Sequence, residues 1–119
     1  MERHVDVDAA AEESAARVDR WRAAGLVVRP VTWRDGLARW PQPLETDRAR
    51  VADPDSVGIH LSGPAETELL VVLFRGGWAD VDHLSGGEVG AIPAQGITSA
   101  RVFGGLLDGW VWQVLGVRP

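Results

Sequence analysis

The sequence predicts a single α+β domain over residues 1–119, and three observations lead to this fold class. An alanine-rich segment with helical spacing opens the chain, short apolar or alternating segments separated by glycines follow, and an apolar segment closes it. A chain of 119 residues fits one hydrophobic core. We therefore expect an N-terminal helix, a short second helix, an antiparallel meander of three or four strands, and a C-terminal helix or strand.

The first predicted helix runs from Asp8 to Ala24, with Asp6 or Asp8 placed to cap its start. Its apolar positions recur at helical spacing: Val7, Ala11, Ser14 or Ala15, Val18 and Trp21. Glu13 and Arg17 stand four residues apart, so we predict an ion pair between them on the solvent side of the helix.

A shorter second helix is predicted to begin at Thr32, after an extended segment at Leu26–Val31. Asp35 follows Thr32 by three residues, which approximates a capping box. Three apolar side chains then fall on one helical face: Trp33, Leu37 and Trp40. Pro41 ends this helix, and residues 41–55 are predicted to form an irregular connection.

The strand prediction is strongest between residues 57 and 84. Val57–Leu61 alternates like a half-buried strand, and Leu69–Phe74 is a continuous apolar run, typical of a central strand. A glycine pair precedes Trp78–Leu84, which alternates again. These segments predict three antiparallel strands, and Glu88–Ile92 is a candidate for a short fourth one.

The glycine pair also predicts which side chains share a face of the sheet. If Gly76 and Gly77 form a two-residue turn, Phe74 lies opposite Ala79 and Val72 opposite Val81, and these four residues with Leu70 belong to the core. The opposite face then carries the candidate partner-binding residues, which are Trp78, Asp80, Asp82 and Arg75. Exposed aromatic side chains beside charges are typical of protein interfaces.

The closing segment has two interpretations. Thr98 or Ser99 can cap a helix whose apolar residues recur at helical spacing, namely Val102, Phe103, Leu106, Leu107 and Trp110. Glycines at 104, 105 and 109 disfavour a helix, and Trp110–Val114 also fits a last strand. The apolar stretch Val102–Val117 is too short to span a membrane and contains Asp108, so no membrane contact is expected.

Charge and cysteine content limit the partners and chemistry. The net charge is -5, and all 12 basic residues are arginines scattered along the chain, which disfavours nucleic acid and favours a basic protein partner. The absence of cysteine excludes disulfides, thiolate nucleophiles and cysteine-bound metals. The N-terminus has no export-signal pattern, so a cytoplasmic location is expected.

No motif indicates catalysis. Asp80, Asp82 and His83, with His60 on a neighbouring strand, come nearest to a metal or acid–base cluster, but His83 points away from both acids in a regular strand. The sequence has no Gly-x-Ser-x-Gly elbow and no lysine for a phosphate loop. We therefore predict no catalytic residues, no metal and no cofactor.

The segment LLVVLFRGGWADVDHL at Leu69–Leu84 and the ending SARVFGGLLDGWVWQVL at Ser99–Leu115 resemble small actinobacterial immunity-type proteins encoded beside polymorphic toxins. The likeness lies in size, acidity and a strand-turn-strand ending followed by a helix. It covers less than half of the chain and includes no diagnostic motif. The resemblance implies a cytoplasmic protein that blocks a toxin's active site through an acidic, aromatic surface, and it assigns no role to any residue.

Three functions follow as hypotheses. The preferred one is stoichiometric, non-enzymatic protein binding through Trp78, Asp80, Asp82 and Arg75. The second is a small-molecule-binding or enzymatic domain with a pocket lined by Trp33, Trp40, His60 and Trp110. The third is a homodimer formed through the apolar C-terminal segment.

Overall fold

A computed structural model describes residues 2–119 and confirms the α+β class. The nine helices and strands are, in chain order, α1 Val7–Ala15, α2 Val18–Ala23, β1 Val27–Val28, β2 Thr32–Asp35, β3 Pro54–Ser62, β4 Glu68–Phe74, β5 Trp78–Ser85, β6 Glu88–Ala94 and α3 Ala100–Leu115. One 3-10 turn at Arg48–Arg50 lies between β2 and β3. None of the helices in the described part of the chain is long and apolar enough to cross a membrane.

The strands form one antiparallel sheet in the order β1-β3-β4-β5-β6. β1 pairs with the end of β3, where Val27 faces Ser62, and β2 pairs with its beginning, where Thr32 faces Gly58. The meander β3 to β6 includes the predicted fourth strand, which extends to Ala94. β6 forms the edge of the sheet opposite β1 and β2.

All three helices pack on one face of the sheet. The sheet contributes alternate residues to this core, namely Val57, Ile59, Leu61, Leu69, Val71, Leu73, Ala79 and Val81. The helices contribute large apolar side chains and one alanine: Ala10, Trp21, Phe103, Leu107, Trp110 and Val111. Because side chains alternate along a strand, the residues between them point to the other face of the sheet.

The predicted N-terminal helix is present but bent. Asp6 caps it by accepting hydrogen bonds from the backbone N–H groups of Asp8 and Ala9, and Gly25, with φ +91°, follows its end. The helix breaks before Arg17, which forms the predicted pair with Glu13. The pair is not on the solvent side, because the Arg17 side chain also binds Asp108 of α3 and is 16% exposed.

The second helix predicted at Thr32–Trp40 is wrong. Thr32–Asp35 is strand β2, in which Trp33 is buried, and the residues after it form a loop. The Asp35 carboxylate accepts hydrogen bonds from the backbone N–H groups of Leu37, Ala52 and Asp53, so it joins two loop segments instead of capping a helix. The tertiary pairing of β2 with β3 overrides the local helical pattern.

The chain reverses at the glycine pair as predicted, but the register differs by one residue. Phe74 faces Trp78 across a three-residue turn, Arg75 to Gly77, and Leu73 faces Ala79. The core side of β4 therefore consists of Leu69, Val71 and Leu73, and not of Leu70, Val72 and Phe74 as predicted. Trp78, Asp80 and Asp82 still point away from the core, as predicted.

The closing segment is a helix, and the alternative strand at Trp110–Val114 is wrong. The Ser99 hydroxyl accepts a hydrogen bond from the backbone N–H of Val102, and Gly116 ends the helix in the left-handed region at φ +71°. Its glycines do not disrupt it, because packing of the apolar side against the sheet outweighs their low helix propensity.

Candidate functional site

The sheet face opposite the helices, which we call the open face, is the candidate functional site. The side chains that reach it from β2 to β6 mix apolar, polar, charged and aromatic types: Thr32, Arg34, Ser56, His60, Ser62, Glu68, Leu70, Val72, Phe74, Trp78, Asp80, Asp82, Leu84, Val89, Ala91 and Pro93. Two neighbouring rows of paired residues form its centre. One runs from His60 through Leu70 and Asp82 to Ala91, and the other runs from Gly58 through Val72 and Asp80 to Pro93.

One end of the open face carries a stack of aromatic rings and a guanidinium group. The Phe74 and Trp78 rings stack with centroids 5.2 Å apart and planes inclined by 17°. The Arg34 guanidinium lies 5.4 Å from the Phe74 centroid and 5.4 Å from that of Trp40. Asp55 fixes this guanidinium through hydrogen bonds of 3.0 and 3.1 Å from its Nε and Nη2. The stack holds Trp78 in one orientation while leaving 38% of it exposed.

Gly76 also positions the Trp78 indole. A Cβ atom on Gly76 would lie 2.1 Å from Cζ3 of the Trp78 ring, so the ring covers a site that only glycine can occupy. The indole is therefore held between the turn and Phe74 without being buried. A fixed, exposed aromatic ring suits a binding contact because little side-chain freedom remains to be lost on association.

Asp80 and Asp82 lie beside this indole on β5. Both side chains are exposed, and neither forms a hydrogen bond or an ion pair with any residue between 2 and 119. Residues two apart on a strand share a face and stand about 7 Å apart. The acidic side chains of strands β3 and β4 are bound internally, Asp55 to Arg34 and Glu68 to His60 at 3.1 Å. Asp80 and Asp82 therefore have no structural partner to neutralise them within the described chain.

A shallow trough of about 460 Å³ runs along β5 and β6 on the open face. Trp78, Asp80 and Asp82 line its β5 side, and Ala91 and Pro93 line its β6 side. The trough exists because the β6 side chains are small, so the two carboxylates are accessible from the β6 edge.

Arg75 does not lie on the open face with the other three predicted contact residues. It sits in the turn, where its Nη1 donates to Asp53 at 2.7 Å, and this hydrogen bond raises the pKa of the Arg75 guanidinium. Its backbone carbonyl accepts hydrogen bonds from the N–H groups of His4 and Val5. Arg75 therefore joins the turn to the N-terminal segment and to the loop before β3.

The acidic and histidine residues of β5 do not converge. His83 faces Leu69 and Gly90 on the helix side of the sheet, and its ring lies so close to Gly90 that a Cβ there would be 2.7 Å from Nε2. Asp80 and Asp82 point to the open face. Within residues 2–119 no group of three histidine or acidic side chains is placed to hold a metal ion.

The four residues of the alternative pocket lie on two sides of the sheet. Trp33 and Trp110 are buried on the helix side, whereas Trp40 and His60 lie on the side of the open face. The sheet separates the two pairs. Trp33 does border a groove of about 560 Å³ between α1 and the β1–β2 segment, whose other walls include Ala11, Ala15, Val18 and Val31.

Sequence reasoning missed the apolar members of the open face. The two-residue turn predicted at Gly76 and Gly77 places Leu70, Val72 and Phe74 in the core, and the continuous apolar run in β4 gives no independent indication of which alternate residues point inwards. Arg34 was assigned to a helix. Its position two residues after Thr32, in a segment rich in β-branched residues, is the only signal that places it on a strand.

Comparisons of the chain with models of known protein families, with curated proteins and with solved structures find no match.

Proposed function

We propose that this chain is a non-enzymatic protein-binding domain that binds a basic protein partner through its open face. One observation carries the proposal: Asp80 and Asp82 are exposed and have no cationic partner among residues 2–119, and they lie on the same strand as the fixed, exposed indole of Trp78. No side chain in the described part of the domain neutralises these carboxylates. A partner that supplies arginine or lysine side chains would do so.

The surrounding apolar side chains support this interpretation. Leu70 and Trp78 are each 38% exposed, and Val72 and Phe74 are half-buried between them. Interfaces commonly combine such an apolar and aromatic centre with charged groups that select the partner. The net charge of -5 would in addition accelerate encounter with a basic protein and repel acidic ones.

A toxin-neutralising role is the more specific form of this proposal. The resemblance to immunity-type proteins supports it through size, acidity and the order of elements at the C-terminal end. Such a protein would act in the cytoplasm by covering a basic active-site cleft of the toxin. The test is co-expression with a toxin encoded by an adjacent gene, where growth should be rescued by the wild-type chain and not by the Trp78→Ala/Asp82→Asn variant.

Site-specific photocrosslinking in cells of the source organism tests protein binding in general. A photoreactive phenylalanine analogue at Leu70, which is 38% exposed, should yield an adduct with one protein, identified by mass spectrometry. The matched control is Val102 on α3, which is 45% exposed and lies on the other side of the molecule. Asp80→Asn/Asp82→Asn should reduce the adduct at Leu70.

Three outcomes would contradict the proposal. They are equal adducts at Leu70 and Val102, no adduct at Leu70 in any growth condition in which the chain is expressed, and an adduct that survives neutralisation of both aspartates. The first and third would show contact that does not depend on the acidic open face.

A further inference from the structure

The outer edge of β6 is unoccupied by any strand of the described chain. β6 pairs with β5 alone and ends the sheet on this side, whereas β1 and β2 cover the other edge of the meander. From Val89 to Gln95 the edge carries no charged residue, and Val89 is 82% exposed. Natural sheets commonly protect such edges with charged side chains or prolines, and in β6 these are Glu88 at the start of the strand and Pro93 near its end.

The register shows which backbone groups of β6 point outwards. Ser85 faces Glu88 across the two-residue turn at Gly86 and Gly87, so this pair is joined by hydrogen bonds. Hydrogen-bonded positions alternate along the strand, which directs the N–H and C=O groups of Val89 and Ala91 to the free edge. Pro93 is also an outward-facing position in this alternation, so its lack of an N–H group removes no hydrogen bond to β5.

These outward groups adjoin the trough that holds the unpaired carboxylates. On the open face Ala91 lies beside Asp82, and Pro93 lies beside Asp80. A strand added at the edge would lie about 10 Å from β5, since neighbouring strands are about 4.8 Å apart. Because the side chains of Ala91 and Pro93 are small, a lysine or arginine side chain of the added strand has room to extend across β6 to the carboxylates of β5.

From this geometry we infer that β6 binds an extended segment of the partner as an additional strand, with two basic residues at positions i and i+2. One basic side chain would reach Asp82 across Ala91, and the other would reach Asp80 across Pro93. Main-chain hydrogen bonds to Val89 and Ala91 would supply affinity, and the carboxylates would supply the sequence preference. The inference rests on the proposed binding function of the open face and adds the form that the partner takes there.

Charge complementarity favours a basic segment over a second copy of this chain. Two copies joined along β6 would each carry a net charge of -5, and their unpaired Asp80 and Asp82 would face the same junction. A basic segment instead neutralises both carboxylates.

Short synthetic peptides test the inference. The probe is a fluorescent, end-capped peptide of about nine threonine and valine residues with two lysines separated by one residue, so that both lysines share a face. The control peptide has the same composition with the two lysines adjacent, which directs them to opposite faces. By fluorescence anisotropy at low salt we expect the probe to bind about tenfold more tightly than the control, because only the probe can contact both aspartates.

Variants of β6 separate edge pairing from simple charge attraction. Ala91→Pro removes the outward N–H group and leaves the hydrogen bonds to β5 in place, so it should weaken probe binding about fivefold or more. Ala91→Ser keeps the N–H group and should bind as the wild type does. Amide hydrogen exchange at Val89 and Ala91 should slow when the probe is added, whereas Gly90 and Ile92, which bond to β5, are protected already.

Equal binding of both peptides, or unchanged binding by Ala91→Pro in a variant that melts like the wild type, would overturn strand addition. Protection of Ala91 that rises with protein concentration and no peptide would assign the edge to a second copy, which also overturns it. The photocrosslink at Leu70 is independent of the β6 edge. It therefore shows whether binding through the open face stands when strand addition fails.

Discussion

The guanidinium of Arg17 lies against the carboxylate of Asp108, with Nε 2.8 Å from Oδ1 and Nη2 3.2 Å from Oδ2. Arg17 also donates to Glu13, and Arg20 donates to Asp108 at 2.8 Å. This network connects the bend between α1 and α2 to the middle of α3. It explains why an aspartate occurs in the middle of a mostly apolar helix.

Asp108→Asn should lower the free energy of unfolding by about 1–3 kcal/mol, because it removes one of the two carboxylates that pair with the largely buried Arg17 guanidinium and leaves only Glu13. Urea denaturation measures the change. Asp19→Asn in α2 is the matched control, since Asp19 is exposed and forms no ion pair within the described chain. Equal effects of the two substitutions would show that the network contributes no stability.

The same pair predicts how acid affects the protein. The hydrogen bond from Arg17 lowers the pKa of Asp108 below its ordinary value of 3.8, against the opposing effect of burial. A carboxyl group with a lowered folded-state pKa stabilises the fold above its unfolded-state value and loses that contribution as the pH falls through the folded-state pKa.

The difference in stability between the wild type and Asp108→Asn should therefore stay constant above pH 3.8 and shrink below it. Urea midpoints of both proteins across this range test the prediction. A difference that widens on acidification would assign the effect to a group other than Asp108.

Two glycines of α3 should differ sharply in how their substitution by alanine changes the stability of the protein. Gly105→Ala should stabilise the protein by about 0.5–1 kcal/mol, because a Cβ there meets no atom within 4 Å and alanine favours the helix. Gly104→Ala should lose this gain or destabilise, since its Cβ would lie 2.8 Å from the Glu13 carboxylate and 2.9 Å from the Arg17 guanidinium. Thermal unfolding of the two variants provides the comparison. An equal gain in stability in both would mean that the Glu13 and Arg17 side chains can move away from the new Cβ without loss of stability.

Asp80→Asn/Asp82→Asn should leave the stability unchanged or raise it by up to about 0.5 kcal/mol, because two unpaired like charges on one face repel each other. Asp55→Asn is the contrast: Asp55 is buried and holds Arg34, so its substitution should destabilise by about 1–3 kcal/mol. A large loss of stability in the Asp80/Asp82 variant would mean that these carboxylates have a structural role, which removes the main support for partner binding.

Gly77→Ala should destabilise by about 1–3 kcal/mol. Gly77 has φ +94°, and a Cβ there would lie 2.8 Å from the backbone carbonyl oxygen of Ile97, an atom that cannot move away as a side chain can. Gly86→Ala is the matched control because it also has positive φ, at +61°, but an open surrounding, so its cost should be about 1 kcal/mol. Chemical denaturation distinguishes them, and equal losses would contradict the steric argument.

Much of the fold was predictable because its signals are local. The helix caps and the glycine turn each depend on neighbouring residues. Asp6 and Ser99, each one of two predicted candidates, cap their helices, and the chain reverses at the glycine pair, although in a three-residue turn and not the predicted two-residue one. The segment Thr32–Asp35 resembles a helix start in sequence, but its conformation is set by pairing with β3, from Asp35 with Pro54 to Thr32 with Gly58, which is remote along the chain. Arg17 was placed in solvent because Asp108, its partner, is remote in sequence.

The candidate site was predictable on β5 and not on its neighbours. Alternation in Trp78–Ser85 separates inward from outward residues, so the face of Trp78, Asp80 and Asp82 follows from sequence alone. The uniform apolar run of β4 lacks this information. A turn longer by one residue than assumed was therefore enough to exchange the two faces of β4.

The turn at Arg75–Gly77 is held from three directions. The Arg75 carbonyl accepts hydrogen bonds from the N–H groups of His4 and Val5, and the Arg75 side chain binds Asp53. The Gly77 carbonyl accepts a hydrogen bond from the N–H group of Ile97. Opening this turn would release segments from the beginning, the middle and the end of the chain together, so it should open only when the whole domain unfolds. The Trp78 indole next to this turn is consequently preorganised. A ligand that binds the indole would raise the melting temperature of the entire domain.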